Sequence, residues 1–421
     1  MLDLVGALER VLGALGRVER EEIALADAAG RVLTDDVRSD VMLPPWDNAG
    51  MDGYAVRAAD IAGASAERPV TLPVTGTIAA GERAASEVGA GEAMRIMTGA
   101  PVPNGADSVV RIEDTDRGTG KVRVMSARDA RRNVRPRGED VAADSVIAER
   151  GTRVAASMLA LLAAIGCARP RVARRPRVAL LGSGDELTTV DRFEEVRRGD
   201  RIIATNAFVL AAIVREAGGE VIDFGVVPDD RARLRATMSD AAAKADLVVT
   251  TAGVSVGEHD HTKSIAEEIG RVDFWRISAR PGSQLAFGQL GSTPWLGLPG
   301  NPVSAAITGE LFVRPAVLRL QGASAPHRVP MRVRLGEQLE AASGTTLLLR
   351  ARLEQVPNGF VATLTGPQGS GLMSSMARAD ALLVIPAGAG RLPIGTLVDA
   401  IPLHGSMMMG RELRLTAPAR P

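Results

Sequence analysis

The chain has 421 residues, of which 46% are hydrophobic, and its 50 Lys and Arg residues balance 50 Asp and Glu residues. This length exceeds what one hydrophobic core can hold and indicates several domains, while the hydrophobic content excludes a disordered chain. Because the net charge is zero, no overall field attracts nucleic acid or an anionic membrane, and any anionic ligand must be bound by local groups.

Cysteine usage and hydropathy narrow the class of protein further. The single Cys167 excludes an internal disulfide and any multi-cysteine metal site. Asp3 and Glu9 interrupt the apolar pattern of the first 16 residues, which argues against a signal peptide. No apolar run is as long as a membrane span. We therefore expect a cytoplasmic protein that binds neither nucleic acid nor a membrane.

Two helices are predicted where apolar residues recur at helical spacing, one at the start of the chain and the other after the β-rich segment described next. These residues are Leu4, Leu8, Val11, Leu12 and Leu15 in the first helix and Met158, Leu161, Leu162 and Ile165 in the second, which should end at Gly166. We expect the two helices to pack together as a discontinuous helical domain of residues 1–45 and 142–175. The basic stretch Arg169–Arg177 is predicted to be a linker or a solvated edge.

An inserted β-rich domain is predicted over residues 46–141. Its short β-like runs are Val70–Thr77, Ala93–Met97, Ser108–Ile112 and Lys121–Met125. It opens with the polar loop Pro44–Arg57, which holds two carboxylates, an amide and the only Tyr. Such groups are costly to bury unpaired, so the loop is typical of a binding surface. The alternative is a turn in which Asp47 and Asn48 cap nearby amides.

From residue 176 to 325 the pattern changes to strands that alternate with helices. The predicted strands are Val178–Leu181, Val221–Val227, Leu247–Thr251 and Trp295–Leu298; the predicted helices begin near Asn206, near Asp229 or Asp230, and at Pro302. This order predicts an α/β domain with a mostly parallel sheet and helices on both faces. Ligands of such sheets bind in the loops at the carboxyl ends of the strands.

Residues 326–421 are predicted to form a small C-terminal β domain. Val329, Met331, Val333 and Leu335 alternate with polar residues, and Asn358-Gly359 between two apolar runs indicates a hairpin.

Three loops after the α/β strands carry groups suited to binding. In Gly182–Leu187, the adjacent carboxylates of Asp185 and Glu186 could hold a hydrated Mg²⁺, although a solvated turn is the alternative. In Gly297–Ser304, Pro302 suits the first turn of a helix capped by Asn301, where exposed amides bind anions; the alternative is a plain helix cap.

The remaining loop, Thr250–His261, combines glycines and hydroxyl side chains that suit a phosphate or another oxyanion. Glu258 and Asp260 could bring a metal to that anion, and His259 with His261 makes zinc an alternative. Between these loops, Arg276 and Arg280 could clamp an oxyanion, although two surface arginines along a strand would look the same. Three such loops in one α/β domain favour nucleotide or phosphate binding.

These segments together resemble the MoeA family of molybdopterin molybdenumtransferases, which includes the C-terminal domain of gephyrin. The matching blocks follow the family order over nearly the whole chain and are jointly specific. They are Asp47–Arg57, Arg95–Pro101, Gly105–Val110, Asn133–Asp140, Gly184–Leu187, Thr251–Asp260, Pro281–Gly288, Gly297–Ser304 and Gly366–Met376.

The resemblance implies a fold, an assembly and a reaction. The fold has a helical N-terminal domain, an inserted β-rich domain, an α/β domain like molybdopterin adenylyltransferase, and a C-terminal β barrel. The assembly is an elongated homodimer whose site lies between the α/β domain of one subunit and the inserted domain of the other. The reaction inserts molybdate into adenylyl-molybdopterin with Mg²⁺-dependent release of AMP, and a molybdopterin adenylyltransferase is a candidate partner protein.

The resemblance also implies roles for individual residues. Catalysis is assigned to Asp52, Asp140, Glu186 and Asp260, with Glu186 and Asp260 as Mg²⁺ ligands; Asp52, Thr98 and Asp140 come from the partner subunit. Substrate binding is assigned to Thr98, Asp185, Asn206, Asp246, Gly253, Ser255, Gly257, Arg276, Arg280, Pro299, Asn301, Pro302 and Ser304.

The chain departs from the family pattern at several positions. Arg280-Pro281-Gly282-Ser283-Gln284 stands where the family usually has a KPGKP-like block, so Ser283 lacks a positive charge, and Arg276 replaces a commoner Lys. Ala252 stands where a second glycine is usual, and Ala49-Gly50 where Ser-Ala is common. These changes affect the expected oxyanion and substrate contacts rather than the fold.

Two other functions fit the same sequence features. One is an adenylyltransferase that makes the activated pterin, against which the inserted domain and the barrel argue. The other is a non-catalytic scaffold of the gephyrin type, against which the clustered carboxylates argue because their repulsion must be offset.

Overall fold

The computed structural model describes residues 1–252, 261–341 and 344–403. Within these residues, no helix is long and apolar enough to cross a membrane. The chain is multidomain and contains several separate β-sheets, the largest of which have five or six strands.

The central sheet has six strands, and four of them are parallel. The six strands have the spatial order Glu220–Val227, Arg177–Ser183, Leu247–Thr251, Thr293–Leu298, Ala286–Leu290 and Gly270–Trp275, and Ala286–Leu290 is antiparallel to both of its neighbours. The four parallel strands are those predicted. The antiparallel pair was missed because glycines and charged residues interrupt its apolar residues.

Helices cover both faces of this sheet, as predicted. Val178 and Leu180 point to one face and pack with Leu210, whereas Ala179 and Leu181 point to the other and pack with Met238. The helices of the first face are Thr205–Glu216, Pro302–Thr308 and Arg314–Leu320, with a π-helical turn at Gly309–Val313. The helices of the second face are Arg231–Lys244 and His261–Ile269.

The C-terminal region forms a five-stranded β barrel, as predicted. Its strands, in spatial order, are Thr346–Val356, Gly359–Leu364, Met331–Leu335, Leu397–Pro402 and Ala381–Ile385, and the last pairs with the first to close the barrel. Val356 pairs with Gly359 in the predicted hairpin. The helix Met373–Ala377 and the pair Leu339–Ala341 with Gly390–Leu392 complete this region.

The N-terminal region is largely β-structure. A five-stranded sheet has the order Ser108–Arg111, Gly53–Val56, Ala93–Ile96, Val70–Ile78 and Lys121–Val124. The short pairs are Arg20–Glu22 with Arg171–Ala173, Val37–Arg38 with Val146–Ala148, and Asn48–Ala49 with Val134–Arg135. Short 3₁₀ turns occupy Leu25–Asp27, Ala58–Ile61 and Ile112–Asp114.

The prediction of a helical N-terminal domain is wrong, although both helices exist at Leu4–Gly13 and Ala156–Ala164. They pack into different cores: Val11 lies in the core of the α/β region with Leu320, whereas Leu162 packs with Val172. An amphipathic pattern shows that a helix needs an apolar partner but does not say which one.

Arg169–Arg177 is not a linker. Arg171–Ala173 is a strand antiparallel to Arg20–Glu22, and Val172 and Ala173 are buried. The arginines that flank Val172 and Ala173 hid this strand, because a basic stretch with only two apolar residues does not look like a buried strand.

Candidate active site

The parallel strands of the central sheet bring the predicted loops to one edge. Leu181 pairs with Thr250, and Thr250 pairs with Gly297, so the segments that follow these residues leave the sheet side by side. A cavity of about 360 Å³ opens there. Among the predicted site residues, the structure brings Glu186, Asn206, Asn301 and Pro302 together in its lining.

Glu186 owes its position to the absence of a side chain at Gly184. Gly184 has a φ of +145°, and a Cβ atom built on it would lie 2.5 Å from Oε2 of Glu186. Only glycine fits both the backbone conformation and the space. The Glu186 side chain is exposed, and within the described residues its carboxylate accepts no hydrogen bond, so it is free to bind a ligand or a cation.

Asp185 and Asp229 meet beside this cavity. The backbone amide of Asp229 donates to Oδ1 of Asp185 at 3.2 Å. Asp230, and not Asp229, caps the next helix by accepting from the Arg233 amide at 2.7 Å. Asp229 was not predicted as a site residue, although it follows a parallel strand and thus lies at the same edge of the sheet as the other loops.

Asn206 lies in the first turn of a helix, close to the predicted helix start. The helix Thr205–Glu216 begins one residue earlier, and Nδ2 of Asn206 donates to the carbonyl of Gly300 at 2.8 Å. This bond ties the start of the helix Thr205–Glu216 to the predicted loop Gly297–Ser304. Oδ1 of Asn206 is buried and has no hydrogen-bond partner among the described residues.

A second cavity, of about 430 Å³, adjoins the first and shares Gln284 and Asn301 with it. The α/β region contributes Arg280, Ser283, Pro299 and Ser304 to its lining, and the barrel contributes Leu347, Leu349, Gln368 and Ser370. The short strand Ala279–Arg280 pairs in parallel with Thr346 and Leu347 of the barrel. The second cavity therefore lies between the α/β region and the barrel.

The structure separates the two predicted arginines. Arg280 is exposed and lines the second cavity, whereas Arg276 belongs to neither lining. Within the described part of the chain, neither guanidinium contacts an acidic side chain. Arg276 has a φ of +118°, a strained conformation for a residue with a side chain, and its amide donates to Leu285.

Arg350 is a buried cation that sequence reasoning missed. Its side chain is fully buried, and it donates to Oγ of Ser375 and to the Pro367 carbonyl, each at 3.0 Å, while Nη1 has no partner in the part of the chain that the structure describes. Burial lowers the pKa of the Arg350 guanidinium below its ordinary value. Its backbone amide donates at 2.8 Å to Oε1 of Gln368, a residue that lines the second cavity. A charged residue at an inward position of an apolar strand was the available signal.

Asp52 and Thr98, two of the three residues assigned to the partner subunit's contribution, are in direct contact. Oδ1 of Asp52 accepts hydrogen bonds from the amide and from Oγ1 of Thr98, both at 2.7 Å. The Thr98 amide, followed by the hydroxyl, holds the pKa of Asp52 below its ordinary value. Asp140 is exposed in the same region, and its amide donates to Leu43. In this chain, these three residues line neither of the two cavities.

Asp246 lies away from the cavities, against its predicted role. It precedes the strand Leu247–Thr251, so it sits at the amino end of the sheet, opposite the loops. It accepts two hydrogen bonds from Arg174, at 2.6 and 2.7 Å, and one from the Arg177 amide. Burial raises the pKa of Asp246, but these bonds outweigh burial and hold it below its ordinary value. Its position fits a structural ion pair.

Several predicted site residues lie outside the described residues. These are Gly253, Ser255, Gly257 and Asp260, together with Glu258 and His259 of the zinc alternative. Ala252, just before them, has a φ of +70°, a conformation that favours the glycine usual in the family. Within residues 1–252, 261–341 and 344–403, no three acidic, histidine or cysteine side chains cluster as a metal site would require.

Comparisons with known proteins cover most of the chain. Residues 2–166 match the model of the MoeA N-terminal region (domains I and II), residues 179–319 match that of a probable molybdopterin binding domain, and residues 332–403 match that of the MoeA C-terminal region (domain IV).

Relatives that align over nearly the whole chain are molybdopterin molybdenumtransferases. The molybdopterin molybdenumtransferase of Haemophilus influenzae is 34% identical over 408 residues, which are 96% of this chain and 99% of that protein. Molybdopterin molybdenumtransferase 2 of Mycobacterium tuberculosis is 35% identical over 395 residues, 92% of this chain and 96% of that protein.

A solved structure matches over the same extent. The crystal structure of the molybdopterin biosynthesis moeA protein from Pyrococcus horikoshii OT3 has a TM-score of 0.85 and 28% identity to this chain, covering 96% of this chain and 100% of that one. The predicted resemblance is thus confirmed, and the chain belongs to the MoeA family of molybdopterin molybdenumtransferases, which are transferases of molybdenum cofactor biosynthesis.

Proposed function

We propose that the chain inserts molybdate into adenylyl-molybdopterin and releases AMP. The observation that carries this proposal is a pair of adjoining cavities that share Gln284 and Asn301. One cavity carries a carboxylate and amides, and the other is lined by a cation and hydroxyls. A reaction that joins an oxyanion to a large activated substrate needs two such compartments side by side.

The second cavity is suited to molybdate. Arg280 offers a fork of donors to an oxyanion, and the Ser304 hydroxyl faces the same space. Arg350 is fully buried, its backbone amide is bonded to Gln368 of the same lining, and within the described residues its guanidinium has no carboxylate partner, so a dianion bound nearby would compensate its charge. Pro299 and Asn301 close the side toward the first cavity.

The first cavity is suited to the adenylylated pterin. Its volume lies in the range of small-molecule sites, and its lining combines apolar walls with a few polar groups. Asn206, Asn301 and Pro302 would orient the substrate, with Asp185 beside them. The likeness of this α/β region to molybdopterin adenylyltransferase remains a prediction.

Mg²⁺ fits the groups at the mouth of the first cavity. Glu186 is exposed with its carboxylate unbonded within the described residues, and Asp185 and Asp229 lie in the adjacent loops. Mg²⁺ typically takes one or two carboxylates together with substrate phosphates. Glu186 would hold it with Asp260, and the ion would neutralise charge on the phosphoanhydride that is cleaved.

The partner subunit of a homodimer would complete the site. Asp52, Thr98 and Asp140 line neither cavity in this chain, yet Asp52 is held as a carboxylate at the surface by Thr98. We infer that these residues face the cavities of a second copy. Delivery of the substrate by a molybdopterin adenylyltransferase, the absence of nucleic acid and membrane partners, and a cytoplasmic location stay predictions.

The experiment is incubation of the protein with adenylyl-molybdopterin, Mg²⁺ and molybdate, with AMP measured by chromatography. AMP release that requires both ions is the expected result. Formation of adenylyl-molybdopterin from molybdopterin and ATP would indicate an adenylyltransferase. The absence of turnover in either assay would indicate a scaffold.

A further inference from the structure

The chain leaves the central sheet after the loop that carries Glu186 and then returns to that loop. The intervening segment contains a 3₁₀ turn at Val190–Arg192 and the short helix Phe193–Arg197. Where the segment returns, the pair Leu187–Thr188 and the pair Ile202–Ile203 lie side by side as short parallel strands. The end of the segment is therefore in contact with the backbone next to Glu186.

Arg201 binds this backbone on both sides of Glu186. Its Nη1 donates to the carbonyl of Asp185 and, at 3.3 Å, to the carbonyl of Leu187. The amide of the next residue, Ile202, donates to the carbonyl of Glu186 at 2.8 Å. Two adjacent residues thus hold three consecutive carbonyls, and all three bonds leave the Glu186 carboxylate free.

An acidic side chain holds Arg201 in turn. Nε of Arg201 lies 3.7 Å from Oε2 of Glu195, whose side chain is only 15% exposed. The same oxygen accepts from Oγ1 of Thr188 at 2.9 Å, and Arg192 pairs with the other carboxylate oxygen. Because Thr188 directly follows Leu187 in the chain, Glu195 fixes Arg201 to the end of the loop that Arg201 binds.

The Glu186 side chain has no bond of its own that would fix its direction. Within the described residues its carboxylate accepts no hydrogen bond, and the neighbouring Gly184 allows the backbone wide conformational freedom. Mg²⁺ demands ligands in a nearly ideal octahedral arrangement. The direction of a carboxylate that binds Mg²⁺ must therefore be set by the backbone that carries it, which is the backbone that Arg201 and Ile202 hold.

We propose that Arg201 is a positioning residue that fixes Glu186 for binding a divalent cation. This inference rests on the proposed function, which places Mg²⁺ at Glu186. Arg201 is not among the described residues that line the two cavities, so it acts through the backbone around Glu186 and not by contact with the ligand.

The positive charge of Arg201 makes the proposal testable by the sign of an effect. If the charge alone mattered, its removal would strengthen the binding of a nearby cation, because like charges repel. If the hydrogen bonds to the carbonyls of Asp185 and Leu187 matter, their removal should weaken cation binding. Residues that orient a metal ligand typically contribute 10- to 100-fold to metal affinity.

The experiment measures Mn²⁺ binding to the full-length protein by electron paramagnetic resonance, with Mn²⁺ as the probe for Mg²⁺ and AMP present to supply a phosphate. The variants of Arg201 are Arg201→Ala, Arg201→Lys, and Arg201→Gln in case the alanine variant fails to fold. Glu186→Gln, alone and combined with Arg201→Ala, defines the binding that depends on Glu186. Arg198→Ala is the matched control, because Arg198 lies in the same segment, is 63% exposed and pairs with Asp200.

We expect the wild type and Arg198→Ala to bind Mn²⁺ with the same Kd. Arg201→Ala should raise this Kd by about tenfold, and Arg201→Lys should recover part of the loss because an ammonium group can donate to the same carbonyls. Arg201→Ala should have no further effect in the Glu186→Gln protein, because two residues that act as one unit are not additive.

An unchanged or lower Kd in Arg201→Ala would overturn the proposal. The same increase in Kd with and without the Glu186 carboxylate would also overturn it, as would wild-type binding that does not depend on Glu186.

Molybdate-dependent AMP release, measured on the same preparations, separates this inference from the proposed function. AMP release by the wild type, together with an unchanged Kd in Arg201→Ala, would remove the role of Arg201 and leave the proposed function in place. Mn²⁺ binding that depends on both Glu186 and Arg201, without any AMP release, would support the role of Arg201 and contradict the proposed function.

Discussion

The backbone of Arg280 pairs with that of Leu347. This pairing joins the α/β region to the barrel strand Thr346–Val356. Both residues line the second cavity. The proposed molybdate site therefore depends on the docking of two regions rather than on one loop. An α/β domain without the barrel would lack one wall of the second cavity, where we propose that molybdate binds.

Thr98 should tune the acidity of Asp52. Its amide and hydroxyl stabilise the carboxylate, so the pKa of Asp52 lies below its ordinary value. Thr98→Val removes the hydroxyl donor and should raise that pKa toward 3.8, which NMR titration of the carboxyl carbon can follow. Activity that needs the carboxylate should then be lost at a higher pH on acidification. Thr71→Val, on an exposed strand position, is the control and should change neither property.

Subunits with complementary defects should restore each other. We expect Asp52→Asn and Glu186→Gln to be inactive separately, because each damages one half of every proposed shared site. Random pairing of the two in a co-expressed mixture should restore about a quarter of the wild-type AMP release, since half the dimers would be mixed and each would hold one intact site. A mixture of Asp52→Asn with the double variant is the control. Equal inactivity of both mixtures would contradict a shared site.

Gly184→Ala should displace Glu186. A Cβ atom there would clash with the Glu186 carboxylate, and the φ of +145° is unfavourable for alanine. We expect AMP release to fall at least about tenfold and stability to fall by about 1–3 kcal/mol in urea unfolding. Gly199→Ala separates the two effects, because Gly199 also has a positive φ, of +78°, but faces open space. Similar loss of activity in both variants would argue against a clash at Glu186.

Asp246→Asn should change stability and leave catalysis unchanged. Loss of the charged bonds to Arg174 should cost about 2 kcal/mol at pH 7. Because the pKa of Asp246 is lowered in the folded protein, its contribution is present above the unfolded value of 3.8 and is lost as the pH falls below it. Wild type and variant should therefore converge in stability under acid conditions, as measured by urea unfolding. An Asp246→Asn variant that is as stable as the wild type but inactive would indicate that Asp246 belongs to the active site.

Much of the fold was predictable, because local patterns report local structure. The strands at Val178–Leu181 and Leu247–Thr251 appear in the sequence as short runs rich in apolar residues, and the hairpin at Gly359 follows from turn chemistry. The partner of the helix Leu4–Gly13 was not predictable, since its apolar face fits any apolar surface.

The candidate site was predicted unevenly for similar reasons. Glu186 and Asn301 follow strands, so topology brings them together. Asp246 precedes its strand, so the same topology places it at the opposite edge, a signal the sequence already held. Arg350 was missed although a charged residue at an inward position of an apolar strand was an available signal, because its partners Ser375 and Pro367 lie on a different segment.

The most direct test of the molybdate site is AMP release as a function of molybdate concentration in variants of Arg280. Arg280→Ala should raise the half-maximal molybdate concentration by roughly 10- to 100-fold, the value of charge-assisted hydrogen bonds, and should alter binding of the adenylylated pterin far less. Arg280→Lys should recover part of the loss because lysine lacks the fork of donors. Ser283→Lys, which restores a charge in the same lining, should keep or lower the molybdate requirement.

Arg271→Ala, on the edge strand of the same region and 63% exposed, is the matched control and should behave as the wild type. A molybdate dependence that is unchanged in Arg280→Ala would contradict the assignment of the second cavity and would place the anion elsewhere, first of all at the helix start after Asn301.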